Sequence, residues 1–281
     1  MGSSTSKSES PCCPPDSAPP LAESSTPADD GVMEHIEGTP PLTMWCTRPL
    51  QSASRAVVVY SDVWGPESAH HRRFCSQLNT ALGDEWTVAL PDLFRGNPPM
   101  NPPMQVLILG VPGMLYRLRS CTKETVIERD VANLIVPHLR RRGVSGPLAC
   151  AGFCFGGWCV AQSLALQETP FACGVGIHPS LNVEQIFGRK DIELAHAVGA
   201  TPLLLLPARN DSPLVKPAGE CVAALAAARS VAPDVVSVEF PDMTHGWCSR
   251  GDDADPAVAR DQKLAIDMTA KFCLEHTRGA Q

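Results

Sequence analysis

The sequence predicts a doubly wound α/β domain with a mostly parallel sheet and helices on both faces. Short, continuous β-branched runs such as "RAVVVYSD" (55–62) read as strands buried on both sides rather than on one. They alternate with stretches of helical spacing, of which Ile127, Val131, Leu134, Ile135 and Leu139 form the clearest. Alternation of this kind implies parallel strands joined by helical crossovers. With 281 residues, 44% of them hydrophobic and 19% charged, the chain has room for one large soluble domain or two small ones.

Taken in order, the first strand is 55–62, a helix follows over 68–82, and "WTVALPD" (86–92) is the second strand, ended by Pro91. Residues 93–122 are rich in Pro and Gly around the short apolar run "QVLILG" and receive no assignment. A helix is expected over 123–142, a strand at 147–152, a helix at 156–167, and strands at 172–177 and 202–207. An Ala-rich helix at 218–231, a strand at 235–240 and a last helix at 256–275 complete the domain, set at 42–281. Residues 1–41 are Ser- and Pro-rich with few aliphatic side chains; they cannot bury enough apolar area to offset ordering and are read as a disordered tail.

A net charge of −7 excludes nucleic acid as the expected partner, because no basic stripe exists to neutralise phosphates. No run reaches the roughly 18 apolar residues of a membrane span. Twelve cysteines occur at irregular spacings with no signal peptide, which points to a reducing cytoplasm and mostly buried thiols. Cys150, Cys154 and Cys159 lack a CxxC pair, so no metal is expected there. The N-terminus is more specific: Met1-Gly2-Ser3-Ser4-Thr5-Ser6 fits N-myristoylation at Gly2. One such chain holds a membrane only marginally, and Lys7 is the only basic residue before Arg48, so a second anchor is expected as palmitoylation at Cys12 or Cys13. The expected location is thus cytoplasmic and peripheral on a membrane.

Ligands on doubly wound sheets bind beyond the carboxyl ends of the strands. Gly152-Phe153-Cys154-Phe155-Gly156 lies at such a place, between a strand and a helix, and has the G-x-S-x-G elbow pattern with cysteine as nucleophile. The glycines make room for a strained turn, and a helix start favours a thiolate. Asp211 follows strand 202–207 in "ARNDSPLV", and His245 follows strand 235–240 in "PDMTHGWCSRGD", giving the chain order nucleophile, acid, histidine. His178, in "GIHPS", falls before the acid and is read as structural or pocket-lining; His70 and His71 are read as surface residues of a helix.

Together "GFCFGG", "NDSPLV", "THGW" and "SDVWG", with "HIEGTPP" (35–41) and "LPDLFRG" (90–96), resemble the dienelactone hydrolase family of α/β-hydrolases, in particular its eukaryotic branch, over about residues 35–276. The resemblance implies Cys154 as nucleophile, His245 as base and Asp211 as its orienting carboxylate, with the amides of Phe155 and Val63 forming an oxyanion hole. It also implies that Asp62 stands where bacterial members carry a thiol-activating glutamate, and that Arg95 and Arg250 line a pocket for a charged substrate. The implied activity is hydrolysis of small carboxylic esters or lactones through a thioester intermediate, without metal or organic cofactor. A membrane-tethered thioesterase or protein deacylase is an alternative within the same chemistry. A catalytically silent binding module is an alternative outside it.

Overall fold

The computed structural model of the chain describes residues 13–14, 16–18, 31–67, 70–100, 113–232 and 236–278. Its centre is a seven-stranded sheet made of β1 (Val32–Ile36), β2 (Leu42–Cys46), β3 (Arg55–Tyr60), β4 (Trp86–Pro91), β5 (Leu148–Phe153), β6 (Phe171–Ile177) and β7 (Leu203–Leu206). The spatial order is β1-β2-β4-β3-β5-β6-β7. β1, β2 and β4 pair antiparallel, and every other contact is parallel.

Why β3 reads as an unbroken apolar run is visible in the two core layers. Val58 and Tyr60 pack into one cluster and Val57 and Val59 into the other, on opposite faces of the sheet. Helices cover both faces: α1 (His71–Leu82), α2 (Val136–Arg141), α3 (Phe155–Leu164), α4 (Asp191–Val198), α5 (Glu220–Arg229), the single turn α6 (Trp247–Arg250) and α7 (Pro256–His276). The helix expected at 123–142 emerges in two parts, a π-helical stretch Lys123–Ile135 that continues as α2. It opens on a reciprocal cap between Thr122 and Thr125.

Three expectations change. β1 lies inside the segment read as tail, so the folded part begins before residue 42. Its sequence, "VMEHI", sets Glu34 and His35 between apolar residues, and Glu34 is buried against His138 and Arg142, with which it pairs. The strand expected at 235–240 is reduced, among the described residues, to two isolated parallel bridges, Leu205 to Ser237 and Ala208 to Phe240. Phe240 donates to the carbonyl of Pro207, but proline has no N–H to return, so the ladder does not extend. α4 and β2 fall in stretches that had no assignment. Of the unassigned 93–122, residues 101–112 lie outside the described residues.

Candidate active site

Cys154 occupies the single position between the end of β5 and the start of α3, with φ 54° and ψ −113°. A non-glycine residue there is strained, and the neighbouring backbone holds it in place. Its N–H donates to Ile177 at 3.2 Å, and its carbonyl accepts from Gly157 at 2.9 Å and Ser180 at 3.0 Å. A Cβ on Gly152 would enter the Gly156 carbonyl, one on Gly156 would enter the Tyr60 and Ser61 carbonyls, and one on Gly157 would lie 2.6 Å from Pro179 Cβ. The strand, the turn and the helix therefore approach one another only because these positions lack side chains. Phe155 opens α3, so its N–H is one of the helix amides without an intrahelical acceptor, beside the thiol.

Asp211 lies in the loop after β7. Its Oδ2 accepts from the Ala208 amide at 2.7 Å, and its own N–H donates to the Ala208 carbonyl at 3.1 Å, which fixes the carboxylate. Asp211 Oδ1 meets His245 Nδ1 at 2.5 Å, and the His245 amide donates to Asn210 Oδ1 at 2.6 Å. A ring nitrogen of His245 lies within 4.8 Å of Cys154 Sγ. Cys154 and His245 are buried, at 0% and 1% exposure, so a ligand reaches them only if the site opens. Burial alone would lower the His245 pKa; Cys154 and Asp211 on its two sides outweigh that and raise it to about 10. The imidazole is thus an imidazolium at neutral pH, oriented by a carboxylate. His178 packs edge-on against it at 4.9 Å between ring centres, and burial, then His245, hold His178 far below its ordinary pKa. His178 is therefore neutral.

Asp62 follows β3 and is fully buried. Its Oδ1 accepts from the Trp64 amide at 3.0 Å, and its Oδ2 accepts from Ser249 Oγ at 3.1 Å and from the Arg250 guanidinium. Burial pushes its pKa up, but Arg250, His71, the Trp64 amide and Ser249 more than offset this and leave it below the usual carboxylate value. A carboxylate held in that way is a weak proton acceptor. Arg250, likewise buried, stays protonated because Asp62, Cys13 and Cys154 outweigh its desolvation. It also donates from Nε to the Ala18 carbonyl at 3.2 Å.

Arg95 is placed differently from the pocket expectation. Its guanidinium makes a bidentate pair with the buried Asp130, at 2.8 and 2.9 Å, and donates to the carbonyls of Pro40, Pro41 and Leu93. It ties the β1–β2 turn to the π-helical stretch. His70 and His71 are buried rather than surface residues, and His71 lies 3.9 Å from Asp62. Cys150 and Cys159 are fully buried thiols whose pKa values burial pushes well up, as expected of packing residues. Val63, the second expected oxyanion donor, is buried directly after Asp62.

Gly2 and Cys12 lie outside the described residues, but Cys13 does not. Residues 13–14 and 16–18 are seated over the site: Cys13 Sγ is 3.8 Å from Cys154 Sγ, and the Ala18 amide donates to the His245 carbonyl at 2.7 Å. Ser17 turns the segment by donating its amide and hydroxyl to the Pro14 carbonyl, at 3.1 and 2.6 Å. Ser180 Oγ, 3.5 Å from Cys154 Sγ, also had no sequence signal, since an isolated serine after a strand is commonplace.

The sequence profile described as the dienelactone hydrolase family matches residues 43–275. Among solved structures, the chain is similar to an esterase from Pyrobaculum calidifontis, with 16% identity, TM-score 0.54, and coverage of 89% of this chain and 87% of that one. It is similar to carboxyl esterase 2 from the fungus Tuber melanosporum, with 13% identity, TM-score 0.54, and coverage of 90% and 89%. The acylaminoacyl peptidase of Pyrococcus horikoshii gives 13% identity and TM-score 0.58; there 90% of this chain covers 42% of the larger protein. At these identities the likeness is one of fold. Among curated proteins none matches this sequence.

Proposed function

Because the chain belongs to the dienelactone hydrolase family, a family of ester-bond hydrolases, we propose that it cleaves small carboxylic esters or lactones by two-step acyl transfer through Cys154. The observation that carries this reading is the line from Cys154, on its elbow, to His245 and on to Asp211 at 2.5 Å. The Cys154 sulfur, its proton resting on His245, adds as the thiolate to the carbonyl carbon, and the carbonyl electron pair moves to oxygen. The Phe155 amide, with Val63 as the second donor, holds that oxyanion. On collapse the C–O bond breaks, and the His245 imidazolium gives its proton to the departing alkoxide. Now neutral, the imidazole takes a proton from water, whose oxygen attacks the thioester carbonyl and releases the acid and the Cys154 sulfur. Asp211 keeps the ring oriented in both steps. A lactone substrate keeps its leaving group tethered, which suits this sequence of transfers.

In this reading Asp62 holds Arg250 in place instead of taking the thiol proton. The substrate displaces Cys13 from the nucleophile, and residues 13–18 move aside with it. Gly2 and Cys12 are read as acylation sites that bring the enzyme to a membrane; Cys13, half-buried against Cys154, suits that role only when the segment has left the site. Metabolic labelling with myristate and palmitate tests this independently.

Turnover of a panel of small esters and lactones near pH 7 is the direct test. Wild-type turnover that disappears in both Cys154→Ala and His245→Ala supports the reading. Activity that survives in Cys154→Ala overturns it. A wild-type chain with no turnover across the panel leaves the silent binding module in its place.

A further inference from the structure

The thiol that the N-terminal segment brings to the site makes a set of three soft donors: Cys13 Sγ, Cys154 Sγ and a ring nitrogen of His245, all within 4.8 Å of one another. We propose that these three residues form a binding site for a thiophilic divalent cation, zinc by its chemistry, and that occupancy holds the enzyme in an inactive state.

The spacing supports coordination directly. Two thiolates at about 2.3 Å from a tetrahedral zinc lie about 3.8 Å apart, and the two sulfurs here are 3.8 Å apart. His245 Nδ1 is already bonded to Asp211, so the ligand atom is Nε2, the ring nitrogen left to face the two sulfurs. A carboxylate behind a ligating histidine is the arrangement that fixes the ring and strengthens the metal bond. Two thiolates cancel the charge of a divalent ion, and the nearby Arg250 cation is neutralised by Asp62. Two sulfurs and one imidazole select a soft or borderline ion over magnesium or calcium. Three protein ligands leave a fourth position for water or a small anion.

Coordination releases whatever protons the two thiols carry and needs no redox partner. It occupies the nucleophile and the base together, and it joins the N-terminal segment to the site. Removal of the ion frees both. The inhibitory consequence rests on the acyl-transfer reading; the binding does not.

The test uses the full-length chain, kept reduced and stripped of metal, titrated with cobalt(II) as a spectroscopic stand-in for zinc. The expected result is one equivalent bound, with thiolate-to-cobalt charge-transfer absorption, displaced by zinc. Cys13→Ala should weaken binding at least about 100-fold, and Asp211→Asn about 10–100-fold as loss of the group behind the histidine. Absence of the thiolate absorption, or a Cys13→Ala titration equal to wild type, overturns the site. A Cys13–Cys154 disulfide that forms in air in a chain that takes no cobalt when reduced also overturns it. Ester turnover with and without zinc separates the two readings. Cobalt bound without any turnover keeps the site and removes the hydrolase reading, whereas turnover indifferent to zinc in a chain that binds no cobalt does the reverse.

Discussion

Asp211 and His245 form a contact whose charge follows from its surroundings, and its pH dependence has a definite sign. The His245 pKa rises from 6.5 to about 10 on folding. Below pH 6.5 both folded and unfolded states hold the proton, and the stabilisation is fully present. Between pH 6.5 and about 10 only the folded state holds it, so stability falls as pH rises, and above that the contribution is gone. The urea midpoint should therefore decline between pH 7 and pH 10, and because Cys154 and then Asp211 hold the His245 pKa up, Cys154→Ala and Asp211→Asn should each flatten the decline. Asp211→Asn should also reduce ester turnover by about 10²–10⁴, because the imidazole loses both its orienting partner and the charge that supports its protonated form. Turnover unchanged in Asp211→Asn would remove this carboxylate from the mechanism. At this scale the sequence was most legible, because chain order and position after a strand are enough to nominate Cys154, Asp211 and His245. The partners of Asp62 were not legible, because Ser249 and Arg250 lie 187 and 188 residues away from it.

Among the elements, the β5–α3 elbow shows how three glycines determine a site. Gly152, Gly156 and Gly157 each face backbone or Pro179 so closely that a methyl group has no space. Gly156→Ala should therefore push β3 and α3 apart and destabilise the fold by more than about 3 kcal/mol, measured by denaturant melts, because backbone carbonyls cannot rotate out of the way. A loss under about 1 kcal/mol would show that the layers tolerate separation. The seated residues 13–14 and 16–18 make a second, milder prediction. Ala18→Pro removes the N–H that bonds the His245 carbonyl, and one such bond is worth about 1 kcal/mol, or about fivefold in population. KM for a small ester should fall by about that factor, since the segment leaves the nucleophile more readily. An unchanged KM would mean that the segment does not compete with substrate. From residue 55 onward the strands and long helices were largely legible from apolar runs and periodicity, but β1 and β2 were not. Composition on either side disguised a short strand whose buried glutamate is satisfied by His138 and Arg142, more than a hundred residues away.

In the whole molecule, the parallel sheet collects the ends of β3, β5 and β7 and the loop before α6 at one edge, so residues 62, 154, 211 and 245 converge though they span most of the chain. The convergence needs a closure, because α6 and α7 follow all seven strands in the chain yet contact its first half. The buried Asp62–Arg250 pair supplies one, joining the end of β3 to the last residue of α6. A buried pair of this kind is costly to break from one side, since the remaining charge stays desolvated. Asp62→Asn should thus cost about 3–5 kcal/mol. The double variant Asp62→Leu with Arg250→Met should recover much of that loss, since neither side then carries a charge. If Asp62 instead takes the thiol proton, Asp62→Asn should abolish turnover while leaving stability nearly intact. Melts and ester turnover on wild type and these two variants therefore distinguish a clamp that closes the sheet onto its last helices from a base that acts on Cys154.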